Sequence, residues 1–206
     1  MQQFFVSKTL AEDMSGHLVQ NPKKVLGSMR WFAHSVPLLN GNGTMVMEAQ
    51  SRYCMVFHNL IAKDFDHFPE LFADRLFREV IALCQLSGIN NTRLGQLVKQ
   101  SCTDFQFSLG LDYSISADVY DAARHLQTIV EDLGGYPVVG VTEFGLGIKL
   151  NQEPLPHLSD NKPTSALDAF RAFWMQTLET AASETTITGV NKHWPDNVVE
   201  LPNRKK

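Results

Sequence analysis

Long apolar runs, paired cysteines and strong charge are all missing from these 206 residues. The longest apolar runs, such as "CMVF" at Cys54–Phe57, are far shorter than the roughly 18 residues that span a bilayer. The N-terminal residues lack a basic start followed by a long apolar segment, so no signal peptide is expected. Three cysteines at positions 54, 84 and 102 are an odd number and do not form a disulfide framework. These absences predict no membrane association and a reducing, cytoplasmic location.

Cofactor and nucleic-acid motifs are missing as well. Charged residues make up 19% of the chain, the net charge is −4, and the terminal "NRKK" is the only tight basic cluster, so no strong nucleic-acid signal exists. There is no GxxxxGK[ST] phosphate loop, no HExxH and no GxSxG. The "GLG" at Gly145–Gly147 lacks the third glycine of a dinucleotide fingerprint. No cofactor is predicted.

The first third of the chain has the pattern of strands. "RWFAHSVPLL", "TMVMEA" and "YCMVFHNL" are apolar segments separated by the turn "NGNG" and by the polar "QSR". Together they predict an antiparallel meander of three strands. "QQFFV" predicts a short first strand, and "TDFQFSLG" predicts a half-buried strand with Phe105 and Phe107 on one face.

Helical periodicity begins at Pro69. "PELFADRLFREVIALCQLSG" places Phe72, Leu76, Val80 and Leu83 on one stripe. "SADVYDAARHLQTIVEDLGG" is a second amphipathic helix, closed by two glycines. The fold class predicted from these segments is α+β: a small, mainly antiparallel sheet with long helices packed on one face, followed by a C-terminal arm and helix.

Two regions are predicted along the chain, a core domain over residues 1–135 and an extension over 136–206. The extension begins with an arm, either a hairpin or an extended segment, followed by a Pro-rich linker (154–163), a helix over 164–182 and an irregular tail. The helix has a broad apolar face that includes Phe170 and Trp174, which predicts docking on its own core with Trp174 buried. Docking on a second subunit is the alternative, so both a monomer and a homodimer stay open.

Four blocks of the sequence carry a resemblance to a known family. "FFVSKTLAED", "WFAH", "RYCMVFHN" and "FPELFADRL" resemble the successive segments of an uncharacterised bacterial domain family of unknown function, associated with plasmids and insertion sequences. The resemblance covers about residues 2–133. It implies one α+β domain with an extension, and it implies no catalytic residues.

Cys54 and His58 are the first candidates for chemistry. In a strand they share a face, but four residues at about 3.3 Å each place their Cα atoms about 13 Å apart. A zinc ion or a nucleophile–base pair needs much closer groups. Cys54 is therefore predicted to be a small buried apolar residue, and His58 to lie at the strand end.

A cross-strand cluster is the second candidate. His34 could approach His58 from a neighbouring strand, and the run "DFDHFPE" supplies Asp64, Asp66, His67 and Glu70. His34, His58, Asp66 and His67 are the candidate catalytic residues, and His34 and His58 are the candidate metal ligands. The simpler interpretation is structural, with Asp66 capping the following helix and Glu70 complementing its positive end. No metal is predicted on the basis of ligand spacing.

Two functional hypotheses follow. The first is a non-enzymatic cytoplasmic binding or regulatory module of mobile-element origin with a protein partner. The alternative is a metal-assisted hydrolase or nuclease built around His34, His58 and the segment Asp64–Glu70. Polar side chains that converge in a pocket favour the enzyme, and a flat apolar patch favours the binding module.

Overall fold

The structure is a computed structural model and describes residues 1–22, 27–85, 91–110, 113–136, 140–153 and 165–189. The strands are β1 (Gln2–Val6), β2 (Met29–Leu38), β3 (Gly41–Glu48), β4 (Cys54–His58) and β5 (Phe105–Leu109). The helices are α1 (Lys8–Ala11), α2 (Phe68–Gln85), α3 (Asn91–Ser101), α4 (Tyr113–Asp132), α5 (Glu143–Asn151) and α6 (Ala166–Gly189). Short 3-10 helices span Ser15–His17 and Ala62–His67. The predicted α+β class is confirmed.

The five strands form one mixed sheet in the order β4-β3-β2-β1-β5. The meander β2-β3-β4 is antiparallel, as predicted. The first strand lies between β2 and β5 and pairs with both of them in parallel. Its Phe4 lies opposite Trp31 on one side and Phe107 on the other, and all three side chains are buried. The N-terminal strand therefore joins segments that are distant in sequence.

One face of the sheet is covered by α2, α3 and α6. The apolar stripe of α2 meets aromatic side chains of the strands, with Phe72 edge-on to both Phe4 and Trp31. Phe170 of α6 stacks on Tyr53 at a centroid distance of 4.2 Å. The buried residues of this face form one continuous core.

The opposite face is covered by α4 and α5, which corrects the expectation that the long helices pack on one face. Val119 and Leu126 of α4 pack with Phe32, Met45 and other buried side chains in a second core. The strands are buried on both faces, since Cys54 to Phe57 are all less than 9% exposed. A sheet buried on both sides needs helices on both sides.

The segment after Tyr136 was predicted to be a hairpin or an extended arm, and this prediction is wrong. Residues Glu143–Asn151 form helix α5, with Thr142 as N-cap accepting a hydrogen bond from the Gly145 N–H at 3.0 Å. Glycine disfavours helices, so Gly145 and Gly147 weaken the helical signal in this stretch.

The last helix, α6, runs to Gly189, past the predicted end at residue 182. Its Phe170 and Trp174 are almost fully buried against the same chain. The Pro-rich segment over 154–163 and the basic terminus lie outside the described residues. In the described part of the chain, no helix has the length and apolar character needed to cross a membrane.

Candidate functional site

His34 and His58 lie on the same face of the sheet but do not converge. In the sheet register His34 lies opposite Met45, which lies opposite Val56, so His58 is two strands and two residues away. With strands about 4.8 Å apart and about 3.3 Å per residue, the two Cα atoms are about 12 Å apart. The two imidazoles therefore occupy separate surroundings.

Each imidazole packs as an aromatic ring. His34 is edge-on to Tyr120 of α4 at 5.3 Å, and burial lowers its pKa. His58 is edge-on to Tyr136 at 4.8 Å. One buried ring nitrogen of each, Nδ1 of His34 and Nε2 of His58, has no hydrogen-bond partner in the described part of the chain.

The acidic run before α2 has structural contacts. Asp64 belongs to the 3-10 helix Ala62–His67, and its carboxylate accepts a hydrogen bond at 2.9 Å from the backbone N–H of Ile61, the residue before that helix. Asp66 lies 3.3 Å from Nε2 of His17. His67, at the end of the 3-10 helix, and Glu70, in the first turn of α2, are both exposed. Among the described residues, no group of three or more His, Cys, Asp or Glu side chains could hold a metal ion.

Cys54 is enclosed by the second core. Its Sγ donates to the Arg52 carbonyl at 3.4 Å, and burial raises the pKa of the thiol well above its usual range. A thiol that stays protonated is a poor nucleophile and a poor metal ligand.

We expect Cys54→Ala to lower the free energy of unfolding by about 1–2 kcal/mol, because it leaves only a small cavity. Urea unfolding measures this difference. In the folded wild type, a thiol reagent should modify half-buried Cys102 before buried Cys54. Rapid labelling of Cys54 in the native protein would show that its thiol is accessible and reactive.

A cleft that the sequence did not predict lies between α2, α5 and the end of β4. Its volume is about 480 Å³. The lining residues come from these three elements and are Phe57, Leu71, Asp74, Arg75, Arg78, Glu79, Ala82, Thr142, Glu143 and Phe144. The α2 residues recur at intervals of three and four, so they form a second stripe beside the apolar stripe of that helix.

A buried ionic network forms the inner wall of the cleft. Arg75 forms ion pairs with Glu79, through Nε, and with Glu143, through Nη1 at 2.9 Å. The Glu79 side chain is 1% exposed and that of Arg75 is 11% exposed. The Glu143 carboxylate also accepts a hydrogen bond from the backbone N–H of His58 at 2.8 Å. The network thus links α2, α5 and β4.

The Tyr53 hydroxyl lies beside the Glu79 carboxyl and interacts with it. Arg75 Nη2 is buried and has no hydrogen-bond partner within the described residues. Burial raises the pKa of Glu79, and the Arg75 guanidinium opposes that rise. Burial and the nearby Glu79 carboxylate raise the pKa of Tyr53 beyond its usual range. Glu79 is therefore held from two sides, by Arg75 and by Tyr53, and Arg75 Nη2 is the donor of this group that stays without a partner in the described part of the chain.

Helix α5 also covers the edge of the sheet. The side-chain amide of Asn151 forms two hydrogen bonds with the backbone of Cys54, both at 2.7 Å. Its oxygen accepts from the Cys54 N–H, and its nitrogen donates to the Cys54 carbonyl. Its amide replaces the neighbouring strand that β4 lacks on this side. Together with the His58–Glu143 hydrogen bond, this contact fixes α5, and hence the outer wall of the cleft.

The sequence contained part of this site. Arg75 and Glu79 are four residues apart on a helix with a clear apolar periodicity. This spacing is typical of an ion pair on a solvated face. The third member of the network, Glu143, lies on α5, a helix that the sequence pattern did not predict. Thr142 before Glu143 is a helix N-terminus signal that indicated α5, although the two glycines obscured it.

A comparison with known protein families shows to which family the chain belongs. Residues 3–163 match the family described as Domain of unknown function (DUF6933). The chain belongs to this family. The match covers more than three quarters of the chain and extends beyond the predicted limit at residue 133. The DUF6933 region therefore includes α5 and all the residues that line the cleft. No curated protein and no solved structure matches the chain.

Proposed function

We propose that this DUF6933 protein is a binding module that holds a small polar ligand in the cleft between α2 and α5. The cleft volume of about 480 Å³ lies within the range of small-molecule sites, about 300–1,000 Å³. Its walls combine apolar side chains, such as Phe57 and Leu71, with a few convergent polar groups. This combination is typical of ligand sites.

The observation that carries the proposal is the buried ionic network at the cleft, in which Arg75 Nη2 has no partner among the described residues. A buried ion pair often contributes no more stability than apolar residues of the same volume. Unpartnered buried polar atoms cost about 1–3 kcal/mol each, and Arg75 Nη2 is such an atom. A ligand that bonds to it explains why a charged wall is kept where an apolar wall would be more stable.

An enzyme acting in the same cleft is the second candidate. Glu79 is a buried carboxyl with a raised pKa, and Glu143 is a second carboxyl bound to the same arginine. Titratable groups with shifted pKa values in a cleft are frequent in active sites. A hydrolase or nuclease centred on His34, His58 and Asp66 has less support, because these side chains do not converge.

The remaining parts of the hypothesis rest on the sequence alone. A cytoplasmic location is supported by the cysteine pattern. A bacterial, mobile-element origin is supported by the resemblance of the four sequence blocks to plasmid-associated and insertion-sequence-associated proteins. A protein partner, and the choice between monomer and homodimer, stay proposals for measurement in solution.

A cleft-filling substitution tests the binding function. Ala82→Phe places a ring in the cleft, and Ala73→Phe places the same ring on the other side of α2, in the groove beside α3. We expect a screen of amino acids, carboxylic acids, amines and nucleosides by thermal shift to find ligands of the wild type. Ala82→Phe should weaken their binding at least tenfold, and Ala73→Phe should not.

Ligands whose affinity is unchanged by Ala82→Phe would contradict the assignment of the cleft, as would a screen without any ligand. A compound that is converted as well as bound would support the enzyme instead. Circular dichroism of both variants shows that each one is folded.

A further inference from the structure

We propose that the outer edge of β4 is a strand-addition site for a second copy of this chain, and that α5 is a removable cover over this edge. The inference goes beyond the proposed function and is independent of it, because it concerns the backbone of β4 and not a ligand of the cleft. β4 is the end strand in the order β4-β3-β2-β1-β5, so one of its sides has no neighbour among the strands that the structure describes.

Every second residue of β4 turns its backbone away from β3. Just before the strand, the Tyr53 carbonyl accepts a hydrogen bond from the Glu48 N–H at 2.8 Å. Hydrogen-bonded and non-bonded pairs alternate in an antiparallel ladder, so Met55 and Phe57 also bond to β3. The residues that turn their N–H and C=O groups outwards are Cys54, Val56 and His58. Such an outward row is a template for pairing with another strand.

Side chains of α5 take the place of a neighbouring strand at this edge. The amide of Asn151 bonds to both the N–H and the carbonyl of Cys54, as a facing residue in an antiparallel pair does. At the other end of β4, the Glu143 carboxylate accepts the backbone N–H of His58. The edge is therefore closed by two side chains of one helix, which reproduce part of the bonding that a strand would supply.

The strand below this cover lacks the usual protection of an edge strand. Natural edge strands often carry a lysine, a proline or a bulge, which prevents pairing with another chain. "CMVFH" contains no lysine, proline or glycine, and its pairing with β3 is continuous from Cys54 to His58. Protection of this edge thus depends on α5 remaining in place.

Helix α5 has few contacts that keep it in place. It is nine residues long, which is too short for a stable helix on its own, and Gly145 and Gly147 weaken it further. It is held by the two polar contacts to β4, by the ion pair to Arg75 and by the burial of Leu146 and Leu150 in the second core. These contacts favour the covered form in the wild type. Their loss uncovers β4 without breaking any pairing within the five-stranded sheet.

The outward row of β4 is complementary to itself, which points to a second copy as the occupant. The three outward residues are spaced symmetrically about Val56. A twofold axis at Val56 pairs Cys54 of each copy with the partner's His58 in antiparallel orientation. This pairing satisfies the outward groups of both copies and continues the antiparallel meander β2-β3-β4. β4 carries no Lys, Arg, Asp or Glu, so no like charges face each other across the axis.

Asn151→Ala tests whether the uncovered edge pairs with a second copy. Sedimentation of the full chain over a range of concentrations should show that this variant dimerises at least tenfold more tightly than the wild type. Lys149→Ala, at an exposed position on α5, should behave as the wild type does. The Cys54 amide of Asn151→Ala should exchange fast in dilute protein and regain protection as the concentration rises. If Asn151→Ala does not fold, Glu143→Ala replaces it, because it frees the other end of the same edge.

His58→Cys in the Asn151→Ala background tests the register of the dimer. Within one strand, the Cα atoms of residues 54 and 58 are about 13 Å apart at about 3.3 Å per residue, too far for a disulfide. Across the proposed twofold axis the same two positions face each other. Oxidation with diamide should therefore link Cys54 of one copy to position 58 of the other, and mass spectrometry of the linked peptides identifies this bond.

Three results would overturn the inference. An Asn151→Ala variant that stays monomeric while its Cys54 amide exchanges fast would exclude a second copy and assign the edge to a strand of another protein. Dimers linked only through Cys84 or Cys102, or aggregates without the link between positions 54 and 58, would show that another surface associates. Full protection of the Cys54 amide in the dilute variant would show that α5 is not the cover. The ligand screen with Ala82→Phe tests the proposed function separately from all of these results.

Discussion

Replacing Arg75 by alanine is expected to lower the free energy of unfolding by about 3–5 kcal/mol. The substitution leaves the Glu79 carboxylate, which is 1% exposed, without its cation in the interior. It also removes the ion pair to Glu143 and so one of the links between α2 and α5. Breaking a buried pair by removing one partner costs more than the pair itself contributes, because the remaining charge stays desolvated.

Two further variants show whether the uncompensated charge is the cause. The double variant Arg75→Met/Glu79→Leu removes both charges at similar volume and should recover most of the lost stability. Arg78→Ala removes the exposed ion pair to Asp74 on the same helix and should cost less than about 1 kcal/mol. Urea unfolding measures all three. A loss below about 1 kcal/mol for Arg75→Ala would mean that Glu79 does not need its cation.

The loss in Arg75→Ala should depend on pH. Burial already raises the pKa of Glu79, and Arg75 opposes that rise, so its removal raises the pKa further. Between the ordinary value of 4.5 and this raised value, the folded state binds more protons than the unfolded chain. The free energy of unfolding then falls as the pH rises through this range. We expect the deficit relative to wild type to be smaller near pH 4.5 than near neutral pH.

Asn151→Ala is expected to lower the free energy of unfolding by about 2–4 kcal/mol. The side chain satisfies both the N–H and the carbonyl of Cys54 at the buried edge of β4, and alanine can satisfy neither. Each unsatisfied buried group costs about 1–3 kcal/mol. This contact holds α5 over the edge of the sheet, so α5 should separate from β4 more readily in the variant than in the wild type.

Amide hydrogen exchange gives the local test. In Asn151→Ala the Cys54 amide should lose protection, whereas the Met55 amide, which points towards β3 in the alternating ladder, should keep it. Lys149→Ala, at an exposed position on α5, is the control and should leave both amides unchanged. Retained protection of Cys54 in Asn151→Ala would show that another group covers this edge.

Local pattern in the sequence was sufficient for most of the elements. The 3.6-residue stripe from Phe72 to Leu83 predicted α2, and the alternation around "NGNG" predicted the meander β2-β3-β4. Gly134 and Gly135 were predicted to close α4, and both take the positive φ values, +75° and +117°, that favour glycine after a helix. These features depend on neighbours within a few residues, which a sequence displays directly.

The position of β1 and the second helical layer depended on tertiary structure. β1 pairs with β2 and with β5, which begins a hundred residues later, and no residue in "QQFFV" identifies its partners. The apolar residues of "CMVFH" lie on both faces of β4, but the sequence alone does not distinguish a strand covered on both faces from an ordinary apolar run.

In the cleft, too, the sequence determined some features and the tertiary structure determined others. The sequence determined that Arg75 and Glu79 share a helix face, because their spacing of four residues places them one turn apart. Only the tertiary structure decided that Arg75 and Glu79 are buried within this face and that Glu143 of α5 pairs with the same arginine. An ion pair on a solvated face and a buried ion pair in the wall of a cleft have the same spacing in the sequence. They differ in desolvation, which depends on the residues that surround them.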